Sequence, residues 1–119
     1  MITLKTLPAA TLMEVFQQCS DHLFQQGAKS TTEDGTCVYK NGSMSCAAGC
    51  FISDEEYDPA METRSWEGIS NVGRFGIPDD HCDLISSLQT IHDEYEVEFW
   101  PEKLAELKFK LIQNPEDYV

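Results

Sequence analysis

Cys37-Val38-Tyr39-Lys40-Asn41-Gly42-Ser43-Met44-Ser45-Cys46 is the stretch on which the fold turns. Asn-Gly is the preferred pair for a two-residue type I′ turn, because both central positions need positive φ. With Asn41-Gly42 at the tip, the stretch predicts a β-hairpin over about residues 36–46. Lys40 then opposes Ser43, Tyr39 opposes Met44, Val38 opposes Ser45, and Cys37 opposes Cys46. Side chains alternate between faces along a strand. Cys37, Tyr39, Met44 and Cys46 therefore share the expected core face, and Val38, Lys40, Ser43 and Ser45 share the other. Ladder pairs alternate too, so Cys37 and Cys46 should form a non-hydrogen-bonded pair with Cβ atoms about 4.5–5.5 Å apart. A helical turn through Cys46-Ala-Ala-Gly-Cys50 would bring the Cys50 sulfur to the same side.

Outward from the hairpin the chain reads as helices. Leu12, Val15, Phe16, Cys19 and Leu23 make one apolar stripe, with a Thr11/Glu14 capping box and a stop at Gly27. Thr6 before Pro8 offers an earlier start. Residues 28–36 read as polar loop, turning at Asp34-Gly35. Ser53 and Glu56 form a second capping box that predicts a short helix near 54–57, and Asp58-Pro59 starts a turn through Met61. Residues 63–78 carry Gly68, Gly73, Gly76 and Pro78, and read as a long loop pinned by Trp66, Ile69, Val72, Phe75 and Ile77. Leu84, Ile85, Leu88, Ile91, His92 and Tyr95 line a helix capped by Asp79 or Asp80. Pro101 opens a last helix with Trp100, Leu104, Leu107 and Leu111 on one face, ended by Asn114-Pro115. The expectation is an α+β chain: one small, mostly helical domain over residues 1–119, with a single hairpin.

Composition narrows the function. Twenty-one acids oppose 8 bases, a net charge of −13. That field repels nucleic acid and anionic membrane surfaces, and suits a partner with a basic surface. The plainer reading is that the charge keeps the chain in solution. The N-terminus shows no signal-peptide pattern and no run is long enough to span a membrane, which points to the cytoplasm. Five cysteines, an odd number, then suit thiols or metal ligands better than disulfides.

Three chemistries are open to the cysteines. Cys37, Cys46 and Cys50, completed by His92, would make a zinc site, with His22, His81 and Cys82 as other fourth ligands. The eight- and three-residue gaps are not the paired short spacing of structural zinc motifs, and buried cysteine is a common core residue. A Cys37–Cys46 disulfide has the required separation but not the compartment. Cys50 with His92-Asp93 would be a nucleophile and its base. A histidine on an apolar helix face is more often a hydrogen-bonded core residue. The acids gather at Asp54, Glu55, Glu56 and Asp58, then at Asp79, Asp80 and Asp83, and again at Asp93, Glu94, Glu96 and Glu98. No calcium-loop spacing or phosphate-cradling loop is present. The acids other than Asp93 are the candidate partner-binding surface.

Cys37-Val-Tyr39, the block from Cys46-Ala-Ala-Gly49-Cys50 through Tyr57-Asp58-Pro59-Ala-Met61-Glu62, then Leu84, Leu88-Gln89, His92-Asp93 and Trp100-Pro101 with Leu104 resemble a family of small, uncharacterised proteins of tailed bacteriophages and prophages. Similar proteins carry glycine after the Met-Glu pair, where this chain has Thr63. The resemblance implies expression in the cytoplasm of an infected bacterium and no particular activity. By analogy with small acidic phage proteins, it implies binding and inhibition of a host protein, for takeover or against defence. Two alternatives stand beside it: a structural zinc domain, and a binder or hydrolase of a small signalling ligand in a pocket lined by Tyr39, Tyr57, Trp66 and His92.

Overall fold

Thr11 starts the first long helix as its sequence predicts. The Glu14 N–H donates to Thr11 Oγ1 at 3.1 Å, and the Thr11 N–H donates to Glu14 Oε1 at 2.8 Å. This helix, α1, runs Leu12–Gln26 and ends on Gly27 at φ 61°. The alternative start at Thr6 becomes a separate 3₁₀ turn, Leu7–Ala9. The structure is a computed structural model describing residues 1–73 and 75–118, with Asn71 and Val72 described by backbone alone. The expected pin at Val72 therefore lies outside the described side chains.

The hairpin exists, but its register differs. Strand β1, Lys40–Asn41, pairs antiparallel with β2, Met44–Ser45, as Lys40↔Ser45 and Asn41↔Met44. The tip is thus Gly42-Ser43, with Gly42 at φ 63°. Tyr39, not Cys37, lies opposite Cys46, just past the end of β2: the Cys46 N–H donates to the Tyr39 carbonyl at 3.1 Å. The ladder stops there because the backbone of residues 37–40 is held elsewhere. Val38 N–H donates to Ser30 O at 3.0 Å, and Cys37 bridges to Thr31. Tyr39 and Lys40 N–H both donate to the Glu62 carboxylate. The Asn41 amide, expected to turn the chain, instead donates to Thr31 O at 2.7 Å. Cys37 and Cys46 are therefore not cross-strand neighbours.

Gly49 packs so tightly on the hairpin that a Cβ there would run into the Tyr39 carbonyl. The Ser53/Glu56 capping box forms, closing a single turn and not a helix. Asp58 caps the 3₁₀ turn Pro59–Met61 by accepting from Ala60 N–H at 2.8 Å. Thr63 follows at φ 66°, a left-handed conformation costly for a β-branched residue.

The expected loop over 63–78 contains a helix. Ser65 caps α2, Trp66–Val72, by accepting from Gly68 N–H at 3.0 Å, and Gly73 ends it at φ 72°. Trp66, Ile69 and Ile77 are buried, as their pinning role requires.

Helix α3, Cys82–Glu94, is the spine, packing on α1, α2 and α4. Its stripe of Leu84, Ile85, Leu88, Ile91 and His92 is buried as read, but Tyr95 lies past the helix end and is 37% exposed. Its entry is not an aspartate cap: His81 stands there at φ 63°, its Nε2 2.8 Å from Ala10 O. Helix α4, Trp100–Gln113, buries Trp100, Leu104, Leu107 and Leu111 as expected. The result is the α+β fold foreseen: helices around one core, with a short hairpin at its edge. Among the described residues no helix is long and apolar enough to cross a membrane.

Candidate functional site

The hairpin slip redistributes the cysteines. Cys46 is fully buried, and the Gly49 N–H donates to its sulfur at 3.3 Å. Burial pushes its thiol up to about 12, outweighing that hydrogen bond. The Cys19 thiol of α1 donates to Ala47 O at 3.7 Å, and burial, then Cys50, hold Cys19 well above its ordinary value. Cys19 and Cys46 are core thiols, and Cys50 packs half-buried against the core. The expected zinc set of Cys37, Cys46, Cys50 and His92 does not come together, because its geometry depended on the unslipped register. The other suggested ligands are engaged elsewhere: His22 at Ser45 O, His81 at Ala10 O, Cys82 beside Ser70.

Cys37 instead meets His92 and Asp93. Their ligand atoms all lie within 4.8 Å of one another, close enough to hold a metal ion. Asp93, read in the sequence as the neighbour of His92 and one of an acidic run, is the third member. α3 supplies His92 and Asp93 from its last turn, and the 30–38 segment supplies Cys37.

Hydrogen bonds fix the state of this cluster. The Ser30 N–H donates to His92 Nε2 at 3.0 Å. A ring accepting at Nε2 is neutral and carries its one proton on Nδ1. That N–H points to Asp93 Oδ1 at 2.7 Å. The ring is fully buried and stacks on Trp100, centroids 5.5 Å apart. Asp93 also receives the Gln89 amide at 3.1 and 3.2 Å, and its carbonyl takes Lys29 Nζ at 3.2 Å. Gln89 Oε1 accepts the Ala48 N–H at 2.8 Å, tying the cluster to the 3₁₀ turn Ala48–Phe51.

Burial, then the Asp93 charge and hydrogen bond, raise the Cys37 thiol above its ordinary value. A raised thiol beside an imidazole whose Nε2 is taken by the Ser30 N–H and whose Nδ1 bears the proton given to Asp93 is not an activated nucleophile. Cys50, the nucleophile expected in the sequence, is not part of the group. A metal on Nδ1 would need that proton gone and, for a neutral ring, Nε2 protonated against the Ser30 N–H. Losing that bond costs about 1–3 kcal/mol, well below the roughly 10 kcal/mol or more that a good zinc site supplies.

Cys37 and Asp93 border an open pocket of ≈ 450 Å³, with Tyr39, Glu62, Trp66 and Gln89 among its walls. The sequence-based pocket set is half right. Tyr39 and Trp66 line it; Tyr57 reaches it through Glu62, to which its hydroxyl donates at 2.6 Å, and His92 through Asp93. Burial, then the Glu62 bond, push the Tyr57 hydroxyl up to about 12. Arg64 is the one cation among the described wall residues, against Glu62, Glu67, Asp93 and Glu94. Two buried polar atoms on wall residues, Trp66 Nε1 and Ser86 Oγ, have no hydrogen-bond partner among the described residues.

The acidic residues divide. Asp54, Glu55, Asp79, Asp80, Asp83, Glu94, Glu96 and Glu98 are exposed. Glu56 and Asp58 are half-buried and hold backbone N–H groups. Asp79–Asp83 and Glu94–Glu98 flank opposite ends of α3, about 20 Å apart at 1.5 Å per residue.

No protein-family model, no curated protein and no solved structure matches this chain.

Proposed function

We propose that this chain is a binding protein whose working site is the pocket beside Cys37, His92 and Asp93, and that the ligand is a small cation. The observation that carries the reading is convergence: residues far apart in sequence meet on one pocket with an acidic wall and unpaired polar atoms. An acidic concave wall concentrates cations, and unpaired buried groups are a standing cost that a ligand removes. Among metals, the sulfur, nitrogen and oxygen donors suit zinc, with the pocket supplying an open fourth position. Elemental analysis together with thermal melting in zinc and in a panel of small amines tests it. One equivalent of zinc, lost in Cys37→Ala, identifies the metal form; a rise in Tm with an amine, lost in Asp93→Asn, identifies the organic form. No metal and no shift with any cation ends the reading.

A second reading is favoured by the eight exposed acids of the candidate surface, of which Asp54 alone has an ion-pair partner, Lys40, among the described residues. On it, the protein is a phage accessory factor that binds and inhibits a basic host protein in the bacterial cytoplasm. Charge neutralisation of Asp79, Asp80 and Asp83 should then weaken capture of that partner at least tenfold. Unchanged capture removes those acids from the contact.

A further inference from the structure

Helix α4 turns Trp100, Leu104, Leu107 and Leu111 inward. At 100° per residue, Ala105, Phe109 and Ile112 fall within about 60° of one another on the opposite side. That side is bare: Phe109 is 65% and Ile112 58% exposed. We infer that this stripe is a self-association face, on which a second copy of the chain packs its own α4 antiparallel.

Charge selects the occupant. Helix α4 holds Lys103, Lys108 and Lys110 against Glu102 and Glu106, so 3 − 2 gives +1, and the rest of the chain is −13 − 1 = −14. Two copies repel through most of their surfaces and least through this one. Glu106 and Lys110, one turn apart, lie on the same flank of the stripe. A two-fold axis across antiparallel helices keeps flanks together, so each Glu106 faces the other copy's Lys110. A parallel two-fold would bring opposite flanks together and part Glu106 from the other copy's Lys110. Lys110 has no ion pair within the chain among the described residues, whereas Glu106 is 3.4 Å from Lys103. The Phe109 ring then covers Ala105 of the second copy, an aromatic over a small residue. One 14-residue helix per copy gives a small interface, hence a dissociation constant on the order of ten to a few hundred micromolar.

Sedimentation of the full chain across that concentration range tests the inference. The mass should rise with concentration from 13.4 kDa toward twice that value. Phe109→Asp should stay monomeric, weakening association at least tenfold with an unchanged circular dichroism spectrum. Lys110→Glu should weaken it several-fold, and adding Glu106→Lys should restore it to within about twofold, because the swapped charges meet again only in the antiparallel dimer. Three results would overturn the inference: a monomer throughout, a dimer that survives Phe109→Asp, or a charge swap that fails to rescue. Survival in Phe109→Asp with loss in Phe24→Asp would place self-association on α1, where Phe24 is 54% exposed.

Discussion

The helical half and the irregular half of this domain solve the same problem with different residues. In α1, α3 and α4 the backbone bonds to itself, and apolar stripes provide the adhesion. Between residues 28 and 65 the longest ladder is two residues per strand, so other groups must take the buried backbone N–H donors. Side chains do it. Glu62 holds Tyr39 and Lys40; Glu56 holds Leu4, Lys5 and Ser53; Gln26 holds Ser45; Gln89 holds Ala48. The irregular half is thus a set of carboxylates and amides with a backbone wrapped around them, and part of the chain's acidity is internal scaffolding.

The largest test sets one half directly against the other. Leu88→Ala, in the fully buried stripe of α3, should lower stability by about 2–5 kcal/mol. Glu62→Ala leaves two backbone donors and the Tyr57 hydroxyl without an acceptor, and should cost about 3–5 kcal/mol. Urea midpoints measure both. A Glu62→Ala loss under about 1 kcal/mol would break the comparison and return stability to the apolar core alone.

A smaller, local effect is expected at Glu56. Burial opposes its ionisation, but hydrogen bonds from Ser53, Leu4 and Lys5 outweigh it and hold the carboxyl below its ordinary value of 4.5. A folded value below the unfolded one stabilises above the unfolded value and is lost as pH falls through the folded one. Amide protection at Leu4 and Lys5 should therefore stay flat from neutral pH to about 5 and drop below 4.5. Glu56→Gln should weaken that protection by about 1–2 kcal/mol already at neutral pH. Equal loss across α3 and α4 would mean that the N-terminus is not a separate unit.

The smallest effect sharpens the picture at Thr63. Its left-handed backbone costs a β-branched residue about 1–2 kcal/mol, and glycine forfeits about 0.5–1 through the unfolded chain. Thr63→Gly should raise stability by roughly 0.5–1 kcal/mol, seen as a higher Tm. A fall would show that the threonine side chain makes compensating contacts at the pocket rim.

The same contrast explains what could be read in advance. Helices α1 and α4 were legible because period and caps are local: Thr11 with Glu14, Gly27, Pro101, Asn114. Helix α2 was hidden by Gly68 and Gly73, although Ser65 and Gly73 are its true cap and stop. The hairpin was legible as an element and not in register. Asn41-Gly42 is a strong local signal, but partners at Thr31 and Glu62, distant in sequence, decide the pairing. The cysteine cluster inherited that error. Cys37 and His92 belong to the site; Cys46 and Cys50 followed from a ladder that stops short, and Asp93 carried no signal beyond standing beside His92 in an acidic run.

The stacking of Trp100 on His92 has an optical consequence. Indole emission responds to the charge and polarity of its nearest neighbour, and that neighbour is the imidazole hydrogen-bonded to Asp93. Anything that displaces Asp93 or changes the ring's proton alters what Trp100 emits, while Trp66 looks onto the pocket itself. The molecule carries one tryptophan stacked on the cluster's imidazole and another on the wall of its pocket, so events at the cluster can be followed without a label.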